Sequence, residues 1–234
     1  MSDRYKVALF LTRSDAIGPN EFPDRWLAAG SGVAGNGLVS HIHNAACAAD
    51  NPIENAPPAP YDAVDEYEFE RAGDAAAFFA STTFTADWLG PRRSLLAEPP
   101  QVVSGPVRQV WNGMPATPEA VNILTLPVRR AGMAMADFFE YWSVHHAGLA
   151  LAGQGTRERL VNLASCATDG RVFGGLASAP FDGIGNIVFD SGASLAAEFA
   201  SDHYRLNMAP DEPRFTDPAK SRAMMVNART VAIG

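Results

Sequence analysis

The sequence predicts an α+β fold in which two diverged copies of one βαββαβ unit close, within a single chain, into an α/β barrel. Three observations predict it: an internal repeat, a shared order of apolar and helical segments in the two halves, and a sheet face that neither half could cover alone. The repeat is plainest where Tyr61–Ser81 returns as Phe181–Ser201, an offset of 120 residues (181 − 61). Phe22 and Trp26 return as Phe138 and Trp142 at an offset of 116, Cys47 as Cys166 at 119, and Arg108-Gln-Val110 as Arg229-Thr-Val231 at 121. A slowly drifting offset over separate blocks in the same order is what duplication followed by small loop insertions leaves behind. The repeats are expected to span residues 1–113 and 119–234. The stretch Met114–Pro118 joins them, its prolines resisting regular structure.

Each half reads in the same order. Val7–Thr12 and Val121–Leu126 are apolar runs of strand length. Helices are expected over Glu21–Ala29 and Met135–Ala152, then strands over Leu38–Cys47 and Leu160–Cys166, and over Val64–Phe69 and Ile184–Phe189. Ala-rich helices follow near Asp74–Ser81 and Ser194–Ser201, with Asp74 and Ser194 as expected N-caps. Val107–Trp111 and Met225–Ile233 are the closing strands. With right-handed crossovers this order gives an antiparallel sheet with both helices on one face. The other face would be a broad exposed apolar surface. Packing the two bare faces together inside one chain buries both, and the expected result encloses a ligand-sized internal pocket.

Composition narrows the function. Apolar residues make up 47% and charged residues 19%, which describes a globular chain able to bury a core. A net charge of −8 with no cluster of Lys and Arg excludes a phosphate-binding surface, so nucleic acid is not an expected partner. The densest basic groups, Pro91-Arg92-Arg93 and Arg129-Arg130, read as solvated loops. No apolar run reaches membrane-spanning length, and Met1–Lys6 leads straight into a strand without a signal-peptide core. Cys47 and Cys166 read as small buried hydrophobes in a reducing cytoplasm, the expected location. Gly32–Leu38 reads as a flexible loop; no Gly-x-Gly-x-x-Gly follows a strand and no Gly-x-Ser-x-Gly is present.

The block Phe138–Ala150, with Phe138, Trp142 and then His146-Ala-Gly-Leu149, resembles the signature of EthD-type proteins of the dimeric α/β-barrel superfamily, whose unit is ferredoxin-like. The first half keeps Phe22 and Trp26 but has Gly30 where the histidine would stand. The resemblance implies a pseudo-dimeric barrel of two ferredoxin-like repeats. It also implies a superfamily that hosts cofactor-free monooxygenases, polyketide cyclases, decarboxylases, isomerases, lyases and haem enzymes, so fold alone does not name a reaction.

Histidine suits proton transfer near neutral pH, and there are five: His41, His43, His145, His146 and His203. His41 and His43 are two apart on a strand and share one face, either the internal pocket or the helix-covered side; the pocket is the expected one. On an ideal helical wheel His145 falls in the buried stripe of Phe138, Trp142 and Leu149, with His146 at its edge. The family motif points instead to His146. On the next strand Asp65 shares a face with Tyr67, and Glu66 with Glu68; a carboxylate beside His41 or His43 would orient an imidazole base. Alternatively Glu66, Glu68 and Glu70 form a solvated edge.

These residues give an expected catalytic set of His43, His146, His41 and Asp65, with Trp26, Trp142, Tyr67, Tyr141, His145 and His203 as substrate contacts. His41 and His43 supply only half a metal shell, and haem ligation by His146 or His203 ranks lower, so neither metal nor cofactor is expected. The expected function is a cofactor-independent enzyme performing histidine acid/base chemistry on a small aromatic or polyketide-like molecule, as a lyase or isomerase. The alternatives are a cofactor-free monooxygenase of a phenol and a non-catalytic binder of an aromatic metabolite. A homodimer is the expected assembly.

Overall fold

The computed structural model describes residues 4–30, 33–47 and 57–233. Met1–Asp3 and Gly32, on which the N-terminal reading and the start of the glycine loop fall, lie outside the described residues. The first half runs β1 (Tyr5–Leu11), α1 (Phe22–Ala28), β2 (Leu38–Ala46), β3 (Ala63–Phe69), α2 (Ala72–Ala80), α3 (Leu89–Arg92) and β4 (Gln101–Asn112). The second runs β5 (Val121–Leu126), α4 (Met135–Glu140), α5 (Ala147–Leu151), α6 (Thr156–Arg159), β6 (Leu160–Ala167), β7 (Ala177–Ser178), β8 (Gly183–Phe189), α7 (Gly192–Ala200), α8 (Ala209–Asp211) and β9 (Arg222–Thr230). Three π-helical turns lie between them: Thr83–Trp88 before α3, Tyr141–His146 between α4 and α5, and Tyr204–Met208 before α8.

The strands close into a barrel. The order β1-β3-β2-β9-β5-β8-β6-β4 returns to β1 through the pairing of β1 with β4, and all these pairings are antiparallel. Within each half the order is the ferredoxin-like one, β4-β1-β3-β2 and β9-β5-β8-β6. The seams are β2 with β9, from Ile42↔Thr230 to Ala46↔Val226, and β4 with β6, from Val107↔Cys166 to Asn112↔Asn162. Each half thus covers the other's sheet edges as well as its bare face.

Strand alternation sorts the side chains into two layers. Ala8, Phe10, Val64, Val103, Leu124, Cys166, Ile184 and Met224 point inward and form one core between the halves. Val7, Leu9, Leu11, Tyr67 and Phe69 point outward, beneath Phe22, Trp26, Phe78, Phe79, Phe84 and Trp88. The second half has its own outer layers, Ile123, Leu160, Leu163 and Phe189 with Ala147 and Leu195, and Phe138, Trp142 and Phe215.

The expected internal pocket is replaced by packed side chains: an eight-stranded barrel can be filled by its own residues, and here large inward ones such as Phe10, Leu124 and Met224 fill it. At the centre lies a buried polar network: Lys6 Nζ pairs with Glu66 and donates to Asn186 Oδ1 at 2.7 Å, while Asn44 Nδ2 and Asn186 Nδ2 donate to Glu66 Oε1 at 2.8 and 2.7 Å. Burial, which would lower the Lys6 pKa, is outweighed by Glu66 and Glu68, so the ammonium is held charged.

Smaller departures have local causes. Arg71, which makes no capping bond, precedes α2, and Ser191 rather than Ser194 caps α7, its Oγ accepting from Ser194 N. The closing strands begin earlier than expected, at Gln101 and Arg222, because their first residues pair with β1 and β5 of the same half. Cys166 is buried, its thiol pushed up to about 12 chiefly by burial, while Cys47 is only half-buried. Among the described residues no helix is long and apolar enough to cross a membrane.

Replacing Lys6 by Met strands a buried carboxylate at Glu66 and should lower stability by about 3–5 kcal/mol. The double variant Lys6→Met with Glu66→Leu should recover most of that loss in chemical denaturation.

Candidate functional site

The register of β2 on β3 sets His43 opposite Asp65 and His41 opposite Tyr67. All four are fully buried, and they face α1 and the helices rather than the barrel interior. The expected pocket-facing orientation of His41 and His43 is therefore wrong: alternation gives the inward positions to Asn44 and Glu66, which Lys6 needs, and the outward ones to the histidines. His43 Nδ1 lies 2.6 Å from Asp65 Oδ1. The other oxygen, Oδ2, accepts from Trp26 Nε1 at 2.8 Å and lies 3.6 Å from His41 Nε2. The His41 ring stacks on Tyr67 with centroids 4.2 Å apart and meets the Trp88 ring edge-on at 5.2 Å.

Arg92, read as a solvated loop residue, is instead completely buried. Its guanidinium lies 3.3 Å over the Trp88 ring, its Nε donates to Trp26 O at 2.9 Å and its Nη1 to Trp88 O at 2.7 Å. Trp88 and Arg92 stand four apart where the π-helical turn runs into α3, which puts both on the face toward the sheet. That i, i+4 pair was the available signal for them in the sequence, while Pro91 and Arg93 on either side are exposed as the loop reading requires.

Burial would raise the Asp65 pKa, but His43 and His41 outweigh it and hold the carboxyl well below the usual range. The Tyr67 phenol is driven well above its ordinary value by burial and by Asp65. A carboxylate only accepts, so the proton of the short contact sits on His43 Nδ1 and leaves Nε2 as the outward-facing nitrogen. His43 Nε2, both ring nitrogens of His41, Trp88 Nε1 and Arg92 Nη2 are buried without a hydrogen-bond partner. Buried polar atoms are almost always partnered, so a group of orphans around one ion pair makes this cluster the candidate site. Gly30, just past α1, lies against it: a Cβ there would stand 2.8 Å from Arg92 Nη1.

The second half lacks this cluster. Gly185 stands opposite Ser165 where Asp65 stands opposite His43. The Trp142 ring lies flat on that strand, 2.8 Å from where a Cβ on Gly183 or Gly185 would be. Polarity there moves to the helices. His146 Nδ1 lies 2.9 Å from Asp211 Oδ2, Tyr141 Oη donates to Asp211 Oδ1 at 2.7 Å, and the His146 ring packs on Phe215. His145 is exposed, against the ideal-wheel reading, because the wider π-helical turn Tyr141–His146 rotates it off the buried stripe. His203 has both ring nitrogens occupied, Nε2 on Leu149 O at 2.8 Å and Nδ1 on Asn207 at 3.4 Å, which does not fit a haem ligand. Trp26, Tyr67, His41, His43 and Asp65 are thus brought together; Trp142, Tyr141, His145, His146 and His203 lie apart from them. Asp211 was not foreseen, since nothing local in Pro210-Asp-Glu-Pro213 marks it. Among the described residues no three His, Cys, Asp or Glu side chains could hold a metal ion.

Residues 130–219 match the EthD domain. The whole chain has the fold of three solved structures. An anthrone oxidase-like protein matches with TM-score 0.62 and 12% identity over 98% of this chain and 94% of that one. A provisionally named monooxygenase from Fusobacterium nucleatum gives 0.61 and 7% over 98% and 94%. Another from Lactobacillus acidophilus NCFM gives 0.55 and 12% over 99% and 96%. No curated protein matches the sequence.

Burial holds the His146 pKa below 6.5 despite Asp211, so the folded state favours neutral imidazole. The associated stability is intact above the unfolded pKa and lost as pH falls, and the depressed Asp211 adds loss at lower pH. Between about pH 7.5 and about pH 5 the denaturation midpoint should fall, and His146→Gln should flatten that fall.

Proposed function

We propose that this chain, an α/β barrel whose second half carries an EthD domain, is a cofactor-independent enzyme that abstracts a proton from a small aromatic or polyketide-like molecule. The observation that carries the reading is the His43–Asp65 pair ringed by buried ring and guanidinium nitrogens that make no hydrogen bond, His41 Nε2 standing 3.6 Å from Asp65 Oδ2. Those are the contacts a bound molecule would complete.

In this reading His43 Nε2 takes a proton from an acidic C–H or phenolic O–H, and the electron pair left behind moves onto the substrate's oxygen. Arg92 Nη2 and Trp88 Nε1 donate to that oxygen in a site without water, where such bonds are strong. Asp65 fixes the His43 tautomer and balances the imidazolium once formed. His43, protonated in that step, returns the proton at a second atom: on carbon the outcome is isomerisation, on a leaving group it is bond cleavage, with His41, stacked on Tyr67, lining the site. Trp26 and Tyr67 are the aromatic walls. Entry needs Gly30, just past α1, to move off Arg92, a gating motion of a familiar kind.

A second reading shares the first step. The monooxygenase names of two structures with this fold suggest that a phenolate could pass electrons to O2, a phenol and O2 giving a quinone and water. Oxygen uptake with product formation separates the two readings.

Small phenols and 1,3-dicarbonyl compounds should be screened for turnover and for solvent-deuterium exchange. On any substrate found, His43→Ala and Asp65→Asn should lower kcat by about 10²–10⁴. His146→Ala, in the other half, should cost less than about tenfold. Turnover untouched in His43→Ala, or tight binding with no turnover, would end the enzymatic reading.

A further inference from the structure

The barrel interior is packed, yet one of its ends opens into a recess of about 560 Å³, within the range of small-molecule sites. It is lined by Thr12, Tyr61, Glu98, Phe181, Lys220 and Arg222 among others, and takes no part in the chemistry proposed above. Its apolar wall is aromatic. Tyr61 and Phe181, equivalent residues of the two repeats, face each other with ring centroids 6.3 Å apart, and both pack on Phe10, at 4.9 and 6.0 Å. The recess therefore sits where the repeats meet.

Divergence has made it polar on one side. Tyr61 Oη donates to Gln101 Oε1 at 2.7 Å in the first repeat. The residue equivalent to Gln101 at the offset of 121 (222 − 101) is Arg222. One nitrogen of Arg222, Nη1, is anchored on Ala219 O and Ser221 O at 2.8 and 2.7 Å, which fixes the guanidinium at the rim and leaves its other nitrogens unspent on protein bonds. Lys220 stands beside it, loosely paired with Asp217 at 3.2 Å and largely exposed. Glu98, receiving a bond from Thr12 Oγ1 at 3.2 Å, stands at the first-repeat side. An aromatic slot with two cations on one flank and a carboxylate on the other selects a flat molecule with one anionic end.

We propose that this recess binds a small planar aromatic carboxylate. Its ring lies against Tyr61 and Phe181, and its carboxylate turns toward Arg222 and Lys220 and away from Glu98. The Arg222 pair supplies charge-assisted bonds and the rings supply stacking area.

Calorimetric or NMR titration of the full chain with benzoate tests this, with benzamide as the uncharged isostere. Benzoate should bind the wild-type chain and shift resonances of Tyr61 and Phe181. Its affinity should drop about tenfold in Arg222→Gln, from loss of a charge-assisted bond, and by less in Lys220→Gln, a surface change that cannot compromise folding. Benzamide should bind at least about tenfold more weakly than benzoate, and His43→Ala should leave benzoate affinity unchanged. Equal binding of benzoate and benzamide, unchanged affinity in both cation variants, or loss of binding in His43→Ala would overturn the proposal.

Discussion

Everything in this molecule depends on the two seams, β2 on β9 and β4 on β6. They commit the inner faces of both half-sheets to one another and leave the outer faces to the helices. Once that is fixed, strand alternation decides where chemistry can reside. Inward positions are filled by side chains, and at their centre lies the network of Lys6, Glu66, Asn44 and Asn186, with Glu68 3.5 Å from Lys6 Nζ. Outward positions face helices that can carry aromatic and cationic partners, and there His41, His43 and Asp65 find Trp26, Trp88 and Arg92. The cost of placing charges under a helix layer is met by pairing, as a buried carboxylate requires.

The two outer layers place their polar groups differently. The second half has Gly185 and Ser165 where the first has Asp65 and His43, and a tryptophan ring fills the space. The two indoles, equivalent in sequence, do opposite work: Trp26 donates to a carboxylate and Trp142 covers bare backbone. The same divergence turns Gln101 of one repeat into Arg222 of the other at the barrel's end. The half that matches the EthD domain is thus not the half that holds the His43–Asp65 pair.

Much of the fold was legible in the sequence because it rests on local periodicity and on a repeat that doubles every signal. The strand Val121–Leu126 falls where expected, α1 within one residue at each end, and the closed barrel follows from bare faces that must meet. What sequence could not show was direction. His41 and His43 share a face, but whether that face is inner or outer depends on Lys6, sixty residues from its partner Glu66. His145 was misplaced because a wheel of ordinary helical pitch does not apply across a π-helical turn. Arg92 was misread because an arginine flanked by Pro91 and Arg93 looks solvated unless Trp88, one turn earlier, is seen to carry it inward.

A crystal structure with a bound phenol or enolisable aromatic tests the central claim most directly, namely that chemistry sits between sheet and helices in the first repeat. The account predicts density under α1, with an acidic hydrogen-bearing atom about 3 Å from His43 Nε2 and an oxygen on Arg92 or Trp88. A ligand found elsewhere, with the His43 cluster closed and unchanged around it, would contradict it.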